Sequence, residues 1–258
     1  LAVEIIYTLF GANDWAYYLL SQIFVVVSFI YVWKFSNKIF EDRNYSLMSV
    51  LVLSAIYFYN FTTPEFNVNV SQLPFWALTV YFFWKGINSN KKLNWILFGV
   101  FSALGFLSKY LFIYILIAIF IYFILTFNKN KKFIKNYLLS IFISLILLIP
   151  HLIWLFQNEF VTIFYGLNRS SLINATWISH LENPLIFLIK QFLILIPFLL
   201  MILFLLKKFQ INLNLKNKKI LFLIAINIIP LLLIFVTSIL TGAKIRTMWM
   251  TPFYLFIG

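Results

Sequence analysis

The stretch Trp95–Phe127, WILFGVFSALGFLSKYLFIYILIAIFIYFILTF, decides the fold. Its 33 residues carry one charge, Lys109. A bilayer core about 30 Å thick takes around 20 apolar residues per helix, with roughly 17–25 tolerated. The run is too long for one pass. Both flanks are basic, with Lys85, Lys91 and Lys92 before it and Lys129, Lys131, Lys132 and Lys135 after it. Short segments rich in Lys and Arg face the cytoplasm, so both ends are expected inside and the segment crosses twice. Each leg then has only about 16 residues, near the lower limit for a span. The turn is expected near Gly105–Tyr110, where Gly105, Ser108 and Lys109 interrupt the apolar run. Lys109 then surfaces on the outer side.

The same alternation extends over the rest of the chain. Spans are expected near 15–33, 47–60, 73–84, 95–107, 110–127, 137–157, 185–206 and 220–241, and another begins at 248–258. That is an all-α, polytopic transmembrane bundle of about eight full spans and one cut short, forming a single transmembrane domain. Lys34, Lys38 and Arg43 follow the first span, and the gap at 207–219 holds five lysines. The intervening segments 1–14, 61–72, 157–184 and 242–247 are expected outside. Five of the seven acids, Glu4, Asp14, Glu65, Glu159 and Glu182, lie in or beside them.

Composition agrees with a lipid-solvated chain. Hydrophobic residues make up 63% of 258 residues, charged residues 10%, and the mean hydropathy is +0.97. Soluble domains hold roughly 45–50% apolar and about 25% charged residues. The net charge of +13 is spread through short gaps between apolar runs, not gathered on one face, which argues against nucleic acid. The absence of cysteine removes disulfides, thiolate metal sites and a Cys nucleophile. Abundant Lys, Asn, Ile and Phe fit an AT-rich, bacterial genome. Starting at Leu1 without an initiator Met, and stopping at Gly258 inside an apolar run, the chain reads as an interior fragment of a longer protein.

Polar groups at membrane depth are costly, and so are functional candidates. Lys109 reads either as a phosphate or anion contact or as an anchor snorkelling to the headgroups. Lys244 and Arg246 form a second outer cation pair, Arg offering a fork and Lys a point charge for phosphate. Asn67 and Asn69 place amides at the mouth of a span. There they suit sugar hydroxyls, because amides both donate and accept, but they equally suit helix capping. His151 reads as a phosphate donor or proton carrier, or as a hydrogen-bonded interior residue. Glu65 is a weak candidate acid or base. No metal-ligand spacing occurs, although a divalent cation stays open. Walker, nucleophile-elbow, HExxH and dinucleotide-binding patterns are absent.

Four stretches, in order, resemble one family. They are Phe66-Asn67-Val68-Asn69 with Leu73-Pro74-Phe75-Trp76-Ala77-Leu78; Gly105-Phe106-Leu107-Ser108-Lys109-Tyr110; Pro150-His151-Leu152-Ile153-Trp154 with Gln157-Asn158-Glu159-Phe160; and Ala243-Lys244 with Trp249 and Pro252. They are similar to the bacterial family 39-type glycosyltransferases, relatives of the dolichyl-phosphate-mannose protein mannosyltransferases and the lipid A aminoarabinose transferases. The resemblance implies the GT-C membrane fold in a multi-pass protein of the inner (plasma) membrane. It implies transfer of a sugar from a polyprenyl-phosphate carrier to a lipid or protein acceptor on the outer face of that membrane, within the cell envelope. It also places the catalytic Asp in a first outer loop, expected before Leu1. Donor-phosphate contacts are then expected from Lys109, Lys244 and Arg246, and sugar or acceptor contacts from Asn67, Asn69, Tyr110, His151 and Gln157. The alternative is a transporter or flippase for a lipid-linked or anionic solute, which would use the same cations without bond chemistry.

Overall fold

The computed structural model describes residues 2–89, 91–127, 130–172, 175–206 and 214–258. Every regular element among them is helical. The helices are α1 (Ala2–Phe10), α2 (Asp14–Phe40), α3 (Arg43–Leu53), α4 (Tyr57–Asn60), α5 (Val68–Ser71), α6 (Leu73–Ser89), α7 (Lys92–Ser108), α8 (Ile113–Phe127), α9 (Lys131–Gln157), α10 (Val161–Arg169), α11 (Ser179–Leu206) and α12 (Lys218–Thr241). Two 3-10 segments, Tyr110–Phe112 and Thr247–Tyr254, complete the set.

The long apolar run folds as two helices that double back. Trp95, at the start of α7, packs on Phe123 near the end of α8 (ring centroids 6.2 Å apart) and on Phe133 in α9 (6.3 Å). Phe123 stacks on Tyr137 at 4.3 Å. The start of α7, the end of α8 and the start of α9 therefore share one end of the bundle. At the other end, Gly105 closes against Phe112, where the 3-10 turn reverses the chain. Only a residue without a Cβ fits under that ring, so the turn falls where the sequence places it.

The bundle has two chemically distinct ends. At the lysine-rich end, Lys219 Nζ bonds Glu41 Oε1 (2.5 Å) and Ile39 O (3.0 Å), joining α12 to α2. Lys218 Nζ lies 4.8 Å from the Phe127 ring centroid. At the Lys109 end, Ser21 Oγ and Gln22 Nε2 donate to Thr63 O, and Asn183 Nδ2 donates to Gly242 O. Lys244 N donates to Ser170 O (2.8 Å).

Helix α6 is the axis. Most of its residues are buried, from Leu73 through Ile87, as expected of a helix apolar on all sides. Around it the aromatics interlock: Trp84 stacks on Phe222 at 5.0 Å, Tyr122 meets Phe222 at 4.8 Å, and Trp76 meets Phe253 at 5.1 Å. Aromatic pairs at such distances add about 0.5–1.5 kcal/mol each beyond their buried area.

Among the described residues five helices are long and apolar enough to cross a membrane: Asp14–Phe40, Tyr110–Phe127, Lys131–Gln157, Ser179–Phe204 and Lys218–Thr241. Helix α7 is a shorter apolar helix. The expected span 73–84 lies in α6, whose 17 mostly buried residues fall short of that length. Two further expected spans have another form. Residues 47–60 divide into α3 and α4, because the chain bends at Ser54–Ile56, where the N–H groups bond three residues back. Residues 248–258 fall in and after the 3-10 segment Thr247–Tyr254, buried from Met250 to Phe256, instead of forming a span facing lipid. Its Tyr254 hydroxyl donates to Gln191 Oε1 (2.8 Å), and its Thr251 carbonyl accepts from the Tyr59 hydroxyl (2.8 Å). Pro252 interrupts regular α-helical bonding there.

Candidate functional site

Lys109 is the residue between α7 and the 3-10 turn. Its backbone is extended (φ −166°), so the helix ends at Ser108 and the side chain is freed from the helical surface. Its Nζ donates to Asn69 Oδ1 at 2.6 Å and lies 5.1 Å from the Trp249 ring centroid. An amide and an aromatic face thus hold an ammonium group that has no carboxylate partner. Among the described residues the only ion pair is Lys219–Glu41, at the opposite end. Burial pushes the Lys109 ammonium down to about 7, and the Arg169 guanidinium adds repulsion in the same direction.

Asn67 makes this possible from below. It caps α5 by accepting from Asn69 N (2.8 Å) and Val70 N (3.3 Å), which fixes the turn carrying Asn69. The two amides therefore divide the expected roles. Asn67 is a cap, and Asn69, only 5% exposed, is the contact to Lys109.

One residue further on, the Tyr110 hydroxyl bonds both His151 Nε2 (2.8 Å) and Thr162 Oγ1 (2.7 Å). A phenol has one proton and two acceptor sites, so it donates to no more than one of the two. The His151 ring stacks on Trp154 at 5.8 Å, which fixes its plane. This bridge ties the 3-10 turn to α9 and to the surface helix α10.

Lys244 and Arg246 lie at the same end but outside this first cluster. Lys244 is held there by its backbone bond to Ser170, beside the end of α10. Both side chains are exposed, with no carboxylate within ion-pair distance. Gln157 and Glu65 are exposed, and Glu65 meets the cluster only through its backbone carbonyl, which accepts from Asn67 Nδ2 (3.2 Å). Among the described residues no group of three His, Cys, Asp or Glu could hold a metal ion.

Two contributors escaped the reading of the sequence. Thr162 gave no signal, because an isolated threonine in a loop is common. Arg169 did give one, since it is the lone cation of the long outer segment, the same reason that singles out Lys109. Its guanidinium lies over the Tyr165 ring (5.7 Å) and donates to the Tyr165 hydroxyl (2.8 Å).

A family model described as dolichyl-phosphate-mannose-protein mannosyltransferase matches residues 1–154. The matched region takes in Asn69, Lys109, Tyr110 and His151 and stops before Thr162, Arg169, Lys244 and Trp249. No curated protein matches the chain, and no solved structure does.

Proposed function

Because the chain belongs to the dolichyl-phosphate-mannose-protein mannosyltransferase family, membrane glycosyltransferases of the GT-C type, we propose that its donor is a polyprenyl-phosphate-linked sugar. The acceptor is a lipid or protein on the extracytoplasmic face of the inner membrane. The observation that carries this reading is Lys109: a partly buried ammonium with no carboxylate partner, seated between Asn69 and Trp249.

The chemistry follows from charge. The acceptor hydroxyl attacks the anomeric carbon, the bond from that carbon to the phosphate oxygen breaks, and the electron pair leaves with the phosphate. Negative charge grows on the departing phosphate during the step. A fixed cation in a water-poor setting stabilises that change far more than one in water does. Lys109 takes this role, with Lys244 and Arg246 as further phosphate contacts on its rim. Asn69 orients the Lys109 ammonium. Tyr110, His151 and Gln157 are assigned to the sugar or acceptor. The proton of the acceptor passes to a carboxylate, which the family resemblance assigns to an Asp of a first outer loop; Glu65 is the weaker candidate at this end.

The test is sugar transfer from a polyprenyl-phosphate donor by full-length protein purified in detergent. Replacing Lys109 with Ala should lower turnover by about 10²–10³-fold, the usual cost of one oxyanion-stabilising donor. Unchanged donor affinity and turnover would defeat the assignment of Lys109. A folded wild-type protein that moves the lipid-linked sugar across vesicles without transferring it would favour the transporter.

A further inference from the structure

The lysine-rich end holds a concave basin of about 820 Å3, framed by the end of α8 and the first turns of α9 and α12. Lys131, Lys132 and Lys218 line it, with Phe127, Phe133 and Asn130. Its charge is uncompensated. Only two acids occur at this end, and both are engaged elsewhere: Glu41 bonds Lys219, and Asp42 caps α3 through Asn44 N and Tyr45 N. None of the three basin lysines has a carboxylate within ion-pair distance among the described residues.

The basin is also shaped. Lys218 is held over the Phe127 ring at 4.8 Å, which fixes one ammonium at the wall. Two leading amides of α9, Lys132 N and Phe133 N, are already taken by Asn130 Oδ1, so a ligand meets ammonium groups ahead of those two N–H groups. Thr126 aside, the remaining wall is apolar. Besides Phe127 and Phe133 it includes Leu125, which is 68% exposed on the outer surface of α8. A free inorganic anion needs no such wall. A phospholipid does, because its phosphate sits among the lysines while its chains run down the side of the helix. Helices α8, α9 and α12 all end here, at the level where an apolar span meets the headgroups.

We propose that this basin binds the phosphate headgroup of an anionic membrane phospholipid, with the acyl chains laid along the Leu125 side of α8. Basic pockets between transmembrane helices are suited to such headgroups, each cation near the surface contributing to the attraction. The site is separate from the Lys109 cluster, lying beyond the full length of α8, and it does not depend on the sugar-transfer reading.

Native mass spectrometry of the full-length protein, with added phosphatidylglycerol, phosphatidylcholine or inorganic phosphate, tests it. Wild type should retain phosphatidylglycerol over phosphatidylcholine. The triple variant Lys131→Gln, Lys132→Gln, Lys218→Gln should lose that preference, by about fivefold per lysine. Lys91→Gln with Lys92→Gln, at the same end but outside the basin, should keep it. Should loss of the Lys218–Phe127 contact unfold the triple variant, the exposed pair Lys131→Gln with Lys132→Gln carries the test. Three results would overturn the proposal: no preference in wild type, equal loss in the Lys91/Lys92 control, or displacement of the lipid by equimolar inorganic phosphate, which would mark a free-anion site.

Discussion

Lys109 is under two opposed demands. Packing against Asn69 and Trp249 strips water from the ammonium and lowers its proton affinity to about 7, whereas a bound phosphate restores it. The sign of the pH dependence follows. Under the proposed donor-phosphate role, the free residue is already charged below pH 7 and binds the phosphate directly. Above pH 7 it is neutral in the free protein, so binding must take up a proton, and affinity falls by up to about tenfold per pH unit. Donor binding measured from pH 6 to 9 should show this fall in wild type. Lys109→Arg should flatten the profile, since a guanidinium stays protonated throughout. A wild-type affinity independent of pH across that range would mean that Lys109 does not meet the phosphate. Tyr110 allows a milder test: Tyr110→Phe removes its bonds to His151 and Thr162 and should lower thermal stability by about 1–3 kcal/mol without abolishing donor binding.

Helices α7 and α9 associate closely, and glycine makes it possible. A Cβ on Gly99 would lie 2.5 Å from the Ser140 carbonyl oxygen, a clash with backbone that no side-chain rotation relieves. The close approach also lets Ser144 Oγ donate to Gly99 O at 2.7 Å. Small residues serve helix pairs in lipid in this way, because packing and such bonds replace the hydrophobic drive. Gly99→Ala should therefore destabilise the protein by about 1–3 kcal/mol, seen as a lower melting temperature in detergent. Gly166 gives the opposite case. It sits within the exposed helix α10 with nothing within 4 Å of an added Cβ. Gly166→Ala should be neutral or stabilising by up to about 1 kcal/mol. Equal effects at both positions would show that helix propensity, not helix–helix contact, governs Gly99.

For the molecule as a whole, the proposed function requires that the Lys109 cluster and the lysine-rich basin open to opposite sides of the membrane. The chain has no cysteine, so single-cysteine variants report this cleanly. Thr176→Cys should react with an impermeant maleimide in intact cells, and Lys131→Cys only after permeabilisation. Labelling of both in the same compartment would remove the extracytoplasmic site. How much of this was legible beforehand differs by feature. The doubling of Trp95–Phe127, its turn near Gly105–Tyr110 and the separation of the basic gaps from Lys109 could all be read from the sequence. They depend on hydropathy, length and charge counted along the chain, and the bilayer imposes those on every segment separately. Three things only the tertiary structure decided. Asn69, not its neighbour Asn67, reaches Lys109. Residues 248–254 turn inward as a buried 3-10 segment and set Trp249 against the same lysine. Thr162 and Arg169, on a surface helix remote in sequence, join the site. Each depends on which side chains meet across distant segments, and hydrophobic periodicity says that a face is buried without saying against what.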